Sequence, residues 1–256
     1  MASPSFSQSR AFPILLGAST FIGAFVALEV LLRYGVVNKY VVPLPSQVLM
    51  SLERIVVEEN IVGRMRDTAW EMFVSCIAVI VLGVPMGALL YRWQPLRRAL
   101  LDWVAALAAA PLVLAFPLFL VIFGRSATTV IVMSVITGLA PIVIKTTEGL
   151  LGVRSVLINV GRSLKMTDAQ MLRMILLPAA LPVIFSGIRL SWTFVLISVV
   201  GIEFLINLGG LGQLINDLAE RYDLPGTYGA IGFVILVSVI FFMLLERVES
   251  WLRPAR

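Results

Sequence analysis

The sequence predicts an all-α integral membrane protein, one domain over residues 1–256 with six transmembrane helices. Three observations carry this. Apolar side chains make up 59% of the residues and charged ones 14%, whereas a soluble domain of this size needs far more polar surface. The apolar residues gather in six runs, about 14–32, 70–91, 103–123, 127–144, 183–205 and 229–245. Each is near the roughly 17–25 residues with which a helix crosses about 30 Å of hydrocarbon. A polar, basic island at about 150–178 interrupts the pattern and reads as a surface device between spans.

Residues 1–11 are polar and hold Arg10; the run from Ile14 to Leu32 follows. A cation ahead of an apolar run also opens a secretory signal. The length of this run, Glu29 within it and the lack of an Ala-x-Ala site favour a span, with Glu29 near its outer end. Val41-Val42-Pro43-Leu44-Pro45-Ser46 is an extended entry into a helix over about 46–57. Val48, Leu49, Leu52, Ile55 and Val56 form one stripe there, among Glu53, Arg54, Glu58 and Glu59, which fits a helix lying at the interface.

In the second span Gly83 and Gly87 stand one turn apart, which suits close helix packing. Pro85, Pro111, Pro117 and Pro141 are expected to bend their helices. Only Gly124-Arg125-Ser126 separates the third span from the fourth, which predicts a tight antiparallel hairpin. Trp70 and Trp103 suit interface anchors. Arg189, near the inner end of the fifth span, is placed to snorkel. After the fifth span Gly210-Leu211-Gly212 marks a turn, and Leu214 to Tyr222 reads as a short outer helix or a re-entrant loop.

With the N-terminus inside, the inner segments hold Arg10, Arg92, Arg97, Arg98, Lys145, Arg154, Arg162, Lys165, Arg173, Arg247, Arg253 and Arg256. The outer segments hold fewer cations, and those from Arg54 to Arg66 are mixed with acids. The positive-inside rule then places both termini and the 150–178 loop in the cytoplasm.

That loop predicts two short helices. Val156, Leu157, Val160 and Leu164 recur at helical spacing. Thr167-Asp168-Ala169-Gln170 reads as a capping box that starts a second helix, and Pro178 is expected to stop it. Asn159-Val160-Gly161-Arg162-Ser163-Leu164-Lys165, followed after nine residues by Ile175-Leu176-Leu177-Pro178, resembles the EAA loop of bacterial ABC importer permeases. Asn159-Val160-Gly161 stands where that family has Glu-Ala-Ala, and Lys165 where it has glycine. Ala110-Pro111-Leu112 to Pro117-Leu118-Phe119 with Phe123-Gly124, Gly201-Ile202-Glu203-Phe204, and Gly210-Leu211-Gly212 are similar to further elements of the family. The resemblance runs from about Tyr40 onward and is strongest to the nitrate, sulfonate and taurine subgroup, which also holds carriers of thiamine-precursor-like molecules.

The resemblance implies a type I importer permease: two permease copies or homologues around a path, a soluble binding protein outside, and two ATPase subunits inside, in a bacterial inner membrane. The helix at about 155–164 would be the coupling helix. Val156, Leu157, Asn159, Val160, Gly161, Arg162, Ser163, Leu164, Lys165, Ile175, Leu177 and Pro178 would be the residues of ATPase coupling. ATP and Mg would be bound by the partner ATPase and no cofactor by this chain. Gly161, lacking a side chain, would admit close approach by a partner. A glycine at 165 would permit a left-handed turn that lysine resists.

Glu203 is a candidate for the path or its gate, because an ionisable group inside a span costs at least about 2.5 kcal/mol at the bilayer centre. The competing reading is structural, with Glu203 bonding backbone at the Gly209-Gly210 turn.

Other classes fit less well. There is no histidine and no Gly-x-x-x-x-Gly-Lys-Ser/Thr, and Cys76 is alone. The chain therefore lacks a phosphate loop and the common means of general-base and metal chemistry. An intramembrane enzyme would need paired aspartates, a Ser-Lys or Ser-His pair, or metal ligands within the spans. A stand-alone secondary transporter would usually show repeated halves with interrupted helices. Neither pattern is present, and nothing points to nucleic acid.

Overall fold

The computed structural model describes residues 11–36, 38 and 41–252, with no strand among them. Helix α1 (Ala11–Arg33) is followed by α2 (Pro45–Glu58) and α3 (Ile61–Arg92). Then come α4 (Gln94–Ala109), a 3-10 turn (Leu112–Ala115), α5 (Phe116–Phe123) and α6 (Ala127–Leu151). A short α7 (Ser155–Ser163) and α8 (Asp168–Met171) lead through a π-helical turn (Leu172–Leu176) into α9 (Leu177–Ile206). The last two helices are α10 (Gly210–Glu220) and α11 (Leu224–Leu252).

The centre is the trio α3, α6 and α9. Val79, Val130, Met133, Ile142, Val195, Val199 and Ile202 bury their side chains between them. Small residues let the backbones approach, as membrane helices require when no hydrophobic force drives them together. Gly83 lies against Ile142, Gly87 against Thr146, and Gly138 against Val195 and Ser191. Thr147 Oγ1 donates to Gly87 O at 3.1 Å, and Ser191 Oγ to Gly138 O. The close packing expected of Gly83 and Gly87 is thus realised.

Two smaller clusters cap the trio. At the α7 end, Leu150, Val153, Leu176, Ala180 and Ile184 make a seat for α7. At the other end, Leu211, Leu214 and Leu218 of α10 pack with Ile55 of α2, Ile61 of α3 and Ala230 of α11. The helix α2 leans on α11, where Ser51 Oγ donates to Pro225 O at 2.9 Å. Its N-terminus is held from α1, because Glu29 accepts from Ser46 N at 3.2 Å and Ser46 Oγ at 2.9 Å. A carboxylate there offsets the positive end of the helix dipole.

Four expectations need correction. The third span is not one helix: α4 and the Leu112–Phe123 segment meet at 87° across Ala110 and Pro111. Ala110 is extended, as a residue before proline prefers (φ −71°, ψ 135°). The turn at Gly124 is tight, but what it joins to α6 is the eight-residue α5, not a full span.

Pro178 does not stop the helix begun at Asp168. The π turn widens the coil, with Leu177 N–H bonding Leu172 O. Helix then continues from Asp168 to Ile206. Pro85 and Pro141, from which no stop was expected, lie inside α3 and α6. Finally, α3 begins at Ile61, nine residues before its apolar run. Its early charges are paired: Arg64 with Asp217 at 2.7 Å and with Glu59 at 3.9 Å. Arg221 meets Glu59 at 2.6 Å, and Arg54 meets Asp223.

Candidate functional site

The 152–178 loop folds as a helix on a seat. Residue for residue, α7 turns Ile158 and Gly161 inward. Val156, Leu157, Val160 and Leu164 are 68%, 41%, 50% and 65% exposed. The apolar stripe legible in the sequence is therefore the face that the described residues leave uncovered. Asn159, Arg162, Ser163 and Lys165 are exposed with it. A nine-residue helix is too short to hold itself, so its ends and its seat matter.

The C-terminal end is a Schellman motif. Met166 N–H bonds Gly161 O at 3.1 Å and Lys165 N–H bonds Arg162 O at 2.9 Å. Those are the six-to-one and five-to-two bonds of that motif, which needs a left-handed residue at its turn. Lys165 takes that role with φ +53°. The position where the resemblance expects glycine thus has the backbone that favours glycine. The next helix opens with the capping box read from sequence: Gln170 N donates to Thr167 Oγ1 at 3.3 Å, and Thr167 N to Gln170 Oε1 at 2.9 Å.

Gly161 is buried, and its neighbours belong to this chain. An ideal Cβ there would lie 2.6 Å from Met171 Cε and 2.7 Å from Ile175 Cδ1. The close approach expected of a partner is made by the π-turn segment itself. Ile175 and Leu177 are half-buried, and Pro178 is exposed. Beside α7 lies a cleft of ≈ 490 Å³ lined by Gly152, Val153, Arg154, Val156, Leu157 and Ala179.

At the far end of α9, Glu203 is buried, 1% exposed. Its Oε2 accepts from Gly212 N at 2.8 Å and from Thr68 Oγ1 at 3.0 Å. Thr68 Oγ1 in turn accepts from Leu211 N at 2.8 Å. A carboxylate and a hydroxyl from two other helices thus satisfy the first free N–H groups of α10, which no side chain of its own caps. The glycines follow from this. A Cβ on Gly210 would fall inside the Glu203 carboxyl, and one on Gly212 would meet Val200 O and Glu203 Cβ. The bond runs to Gly212 and not, as sequence suggested, to the Gly209-Gly210 turn.

Sequence reasoning missed three participants. Glu71, inside the second span, sits beside Glu203; its charge within an apolar run was the available signal. Thr68 gave none, because hydroxyls are common at span ends. Met171 gave none either, since only the fold brings it to Gly161.

Comparison with known proteins agrees with this geometry. Residues 79–254 match the family described as binding-protein-dependent transport system inner membrane component. The chain belongs to that family. The osmoprotectant import permease protein OsmW of Salmonella typhimurium is 30% identical over 190 residues, covering 72% of this chain and 88% of that protein. The formylaminopyrimidine transport permease protein ThiX of Halalkalibacterium halodurans is 23% identical over 250 residues, 97% of this chain and 99% of that one. A putative aliphatic sulfonates transport permease, SsuC of Bacillus subtilis, is 26% identical, over 83% of this chain and 78% of its own.

In fold, the chain resembles a chain of the MetNI methionine ABC transporter in an inward-facing conformation. The TM-score is 0.66 at 23% identity, over 76% of this chain and 96% of that one. It is also similar to a chain of an amino acid ABC transporter, with a TM-score of 0.63 at 18% identity, over 78% and 98%. This family member is accordingly a membrane-spanning ABC importer permease subunit, with an all-helical fold of the type I kind.

Proposed function

We propose that this permease is driven through α7 by separate ATPase subunits, which carry the ATP and Mg while this chain carries no cofactor. The observation that supports this best is the uncovered stripe of Val156, Leu157, Val160 and Leu164 on a helix braced from behind at Gly161. A braced helix transmits displacement, where a flexible loop would absorb it. Its stripe and the adjoining cleft offer apolar area to a partner groove, ringed by Arg154, Arg162 and Lys165 for acidic rim residues.

Membership of the family and the charge pattern of the sequence support the remaining parts of this reading. Two copies of the chain, or this chain and a homologue, enclose the path in a bacterial inner membrane, with both termini and α7 in the cytoplasm. A soluble binding protein delivers a small organic solute at the α10 end. The relatives' names span osmoprotectants, sulfonates and a formylaminopyrimidine, so the solute class stays that broad. Glu203, being buried, acts by holding α10 at the outer gate and not by lining an open path.

The test is Val160→Asp and Leu164→Asp in complexes reconstituted with the ATPase. Both should insert normally and lose uptake together with binding-protein-stimulated ATP hydrolysis, because a charge in the groove stays unpaired. Wild-type uptake by both variants, or specific ATP turnover by the purified chain alone, would reject the reading.

A further inference from the structure

Glu71 and Glu203 form a buried pair that the coupling reading leaves unused. Glu203 comes from the last turns of α9 and Glu71 from α3, and both are buried, at 1% and 6% exposure. Thr68, one turn before Glu71 on the same face of α3, donates to Glu203 Oε2 at 3.0 Å, which sets Glu71 beside the Glu203 carboxyl. Glu203 Oε1 and Glu71 Oε2 have no donor among the described residues. Yet buried polar atoms are nearly always bonded, and an orphan is expensive. Two ionised carboxylates in such contact, away from water, would also repel strongly. Something positive must stand between them.

The surroundings narrow what that is. From α3, Asp67 faces the pair and adds negative charge. From α10 the Gly212 N–H reaches Glu203, and Gln213 Oε1 lies near Gly209. The α5–α6 turn contributes Arg125, whose guanidinium donates to Asn207 O, the α9 cap, and not to either carboxyl. Arg64 is taken by Asp217. A metal ion would need more oxygens than two carboxyls supply, and the described residues hold no group of three or more acids and cysteines suited to one. Thr68 cannot help, because its hydroxyl already accepts from Leu211 N and donates to Glu203.

We propose that the ligand is a single proton, carried by Glu71 and donated as a hydrogen bond to Glu203. The assignment between the two is asymmetric for a geometric reason. Glu203 already accepts from Gly212 and Thr68 at the positive end of α10, the setting that favours a carboxylate. Glu71 has no such donors. The proton thus makes the pair a singly charged joint that fastens α3 to α9 and caps α10 with the one remaining charge. This is a binding site for a hydron in a chain whose transport reading requires none, and it stands whether or not α7 is the coupling helix.

Infrared difference spectroscopy of the full complex in lipid at neutral pH tests it. Wild type should carry a protonated-carboxyl stretch, shifted in D₂O, that Glu71→Gln removes. The same variant should keep uptake and thermal stability near wild type, since the amide N–H replaces the acid O–H as donor to Glu203. Glu203→Gln should lose both, because it removes the charge that caps α10. If Glu71→Gln leaves the carboxyl band unchanged, the proton is not on Glu71 and the proposal fails. It also fails if the two glutamine variants are equally damaging.

Discussion

Enlarging Gly161 separates the brace behind α7 from the face in front of it. Carbon atoms in contact sit at about 3.5–4.0 Å, so a methyl at this position, 2.6 Å from Met171 Cε, is short by roughly 1 Å. Gly161→Ala should be tolerated, since the end of a methionine swings aside easily and alanine gains up to about 1 kcal/mol of helix propensity. Leucine adds three further carbons into the same space. Overpacking of that order costs about 1–3 kcal/mol, partly offset by propensity. The net is too small to prevent insertion, but α7 must move off its seat by an ångström or more. Uptake and binding-protein-stimulated ATPase activity in proteoliposomes are the readouts. Gly161→Leu should assemble and fail to couple. Adding Met171→Ala should restore coupling, because it empties the space the leucine needs; the double variant measures the interaction directly. Normal transport by Gly161→Leu would refute the brace. So would failure of Met171→Ala to rescue, which would place the clash in the ATPase groove instead.

Lys165→Gly should leave uptake intact and leave the melting temperature unchanged or raised, since it removes left-handed strain of roughly 1 kcal/mol; Lys165→Val should lower both, as a β-branched residue resists positive φ. Gly210→Ala should destabilise the complex by more than the roughly 1 kcal/mol of backbone strain alone, because its methyl displaces the Glu203 carboxyl; thermal denaturation checks this. Cysteines at Ser155 and Glu220, both exposed, should label from opposite sides of the membrane, with buried Cys76 silent; labelling of both from one side would break the topology.

The long apolar helices and the capping box at Thr167 were legible because each depends on local pattern alone. So was α7, since amphipathic spacing survives in a short segment. What escaped depends on distant partners. The early turns of α3 fell outside the apolar run at 70–91, because Arg64 finds Asp217 only after 153 residues of chain. Pro178 looked like a stop signal, because nothing local announces a π turn. Pro111 marked a bend, but its size follows from where α4 and α5 each pack on α6. The glycines at 210 and 212 were ambiguous as turn residues and became specific only when Glu203 was found lying against them.

The two sites sit at opposite ends of one element, and that bears on how a push at α7 could be felt at the far side. Thirty residues of α9 span about 45 Å. At one end Gly161 seats α7 on Met171 and Ile175, and the helix passes through the π turn into α9 without a break. At the other, Glu203 belongs to α9 and its carboxylate holds the first turn of α10. Along the way α9 is locked to α6 at Gly138–Ser191 and at Gly149–Val183, where α9 side chains lie directly against the α6 glycines. Such contacts do not deform gradually, since close-packed interfaces shift as units. If ATPase closure displaces α7, α9 and α6 therefore move together and carry α10 with them. The chain has a sharp break elsewhere, at Ala110–Pro111, where α4 and α5 meet at 87° and bury no residue. Relative motion between a rigid α6–α9 unit and the α4–α5 elbow is the displacement this architecture permits at least cost.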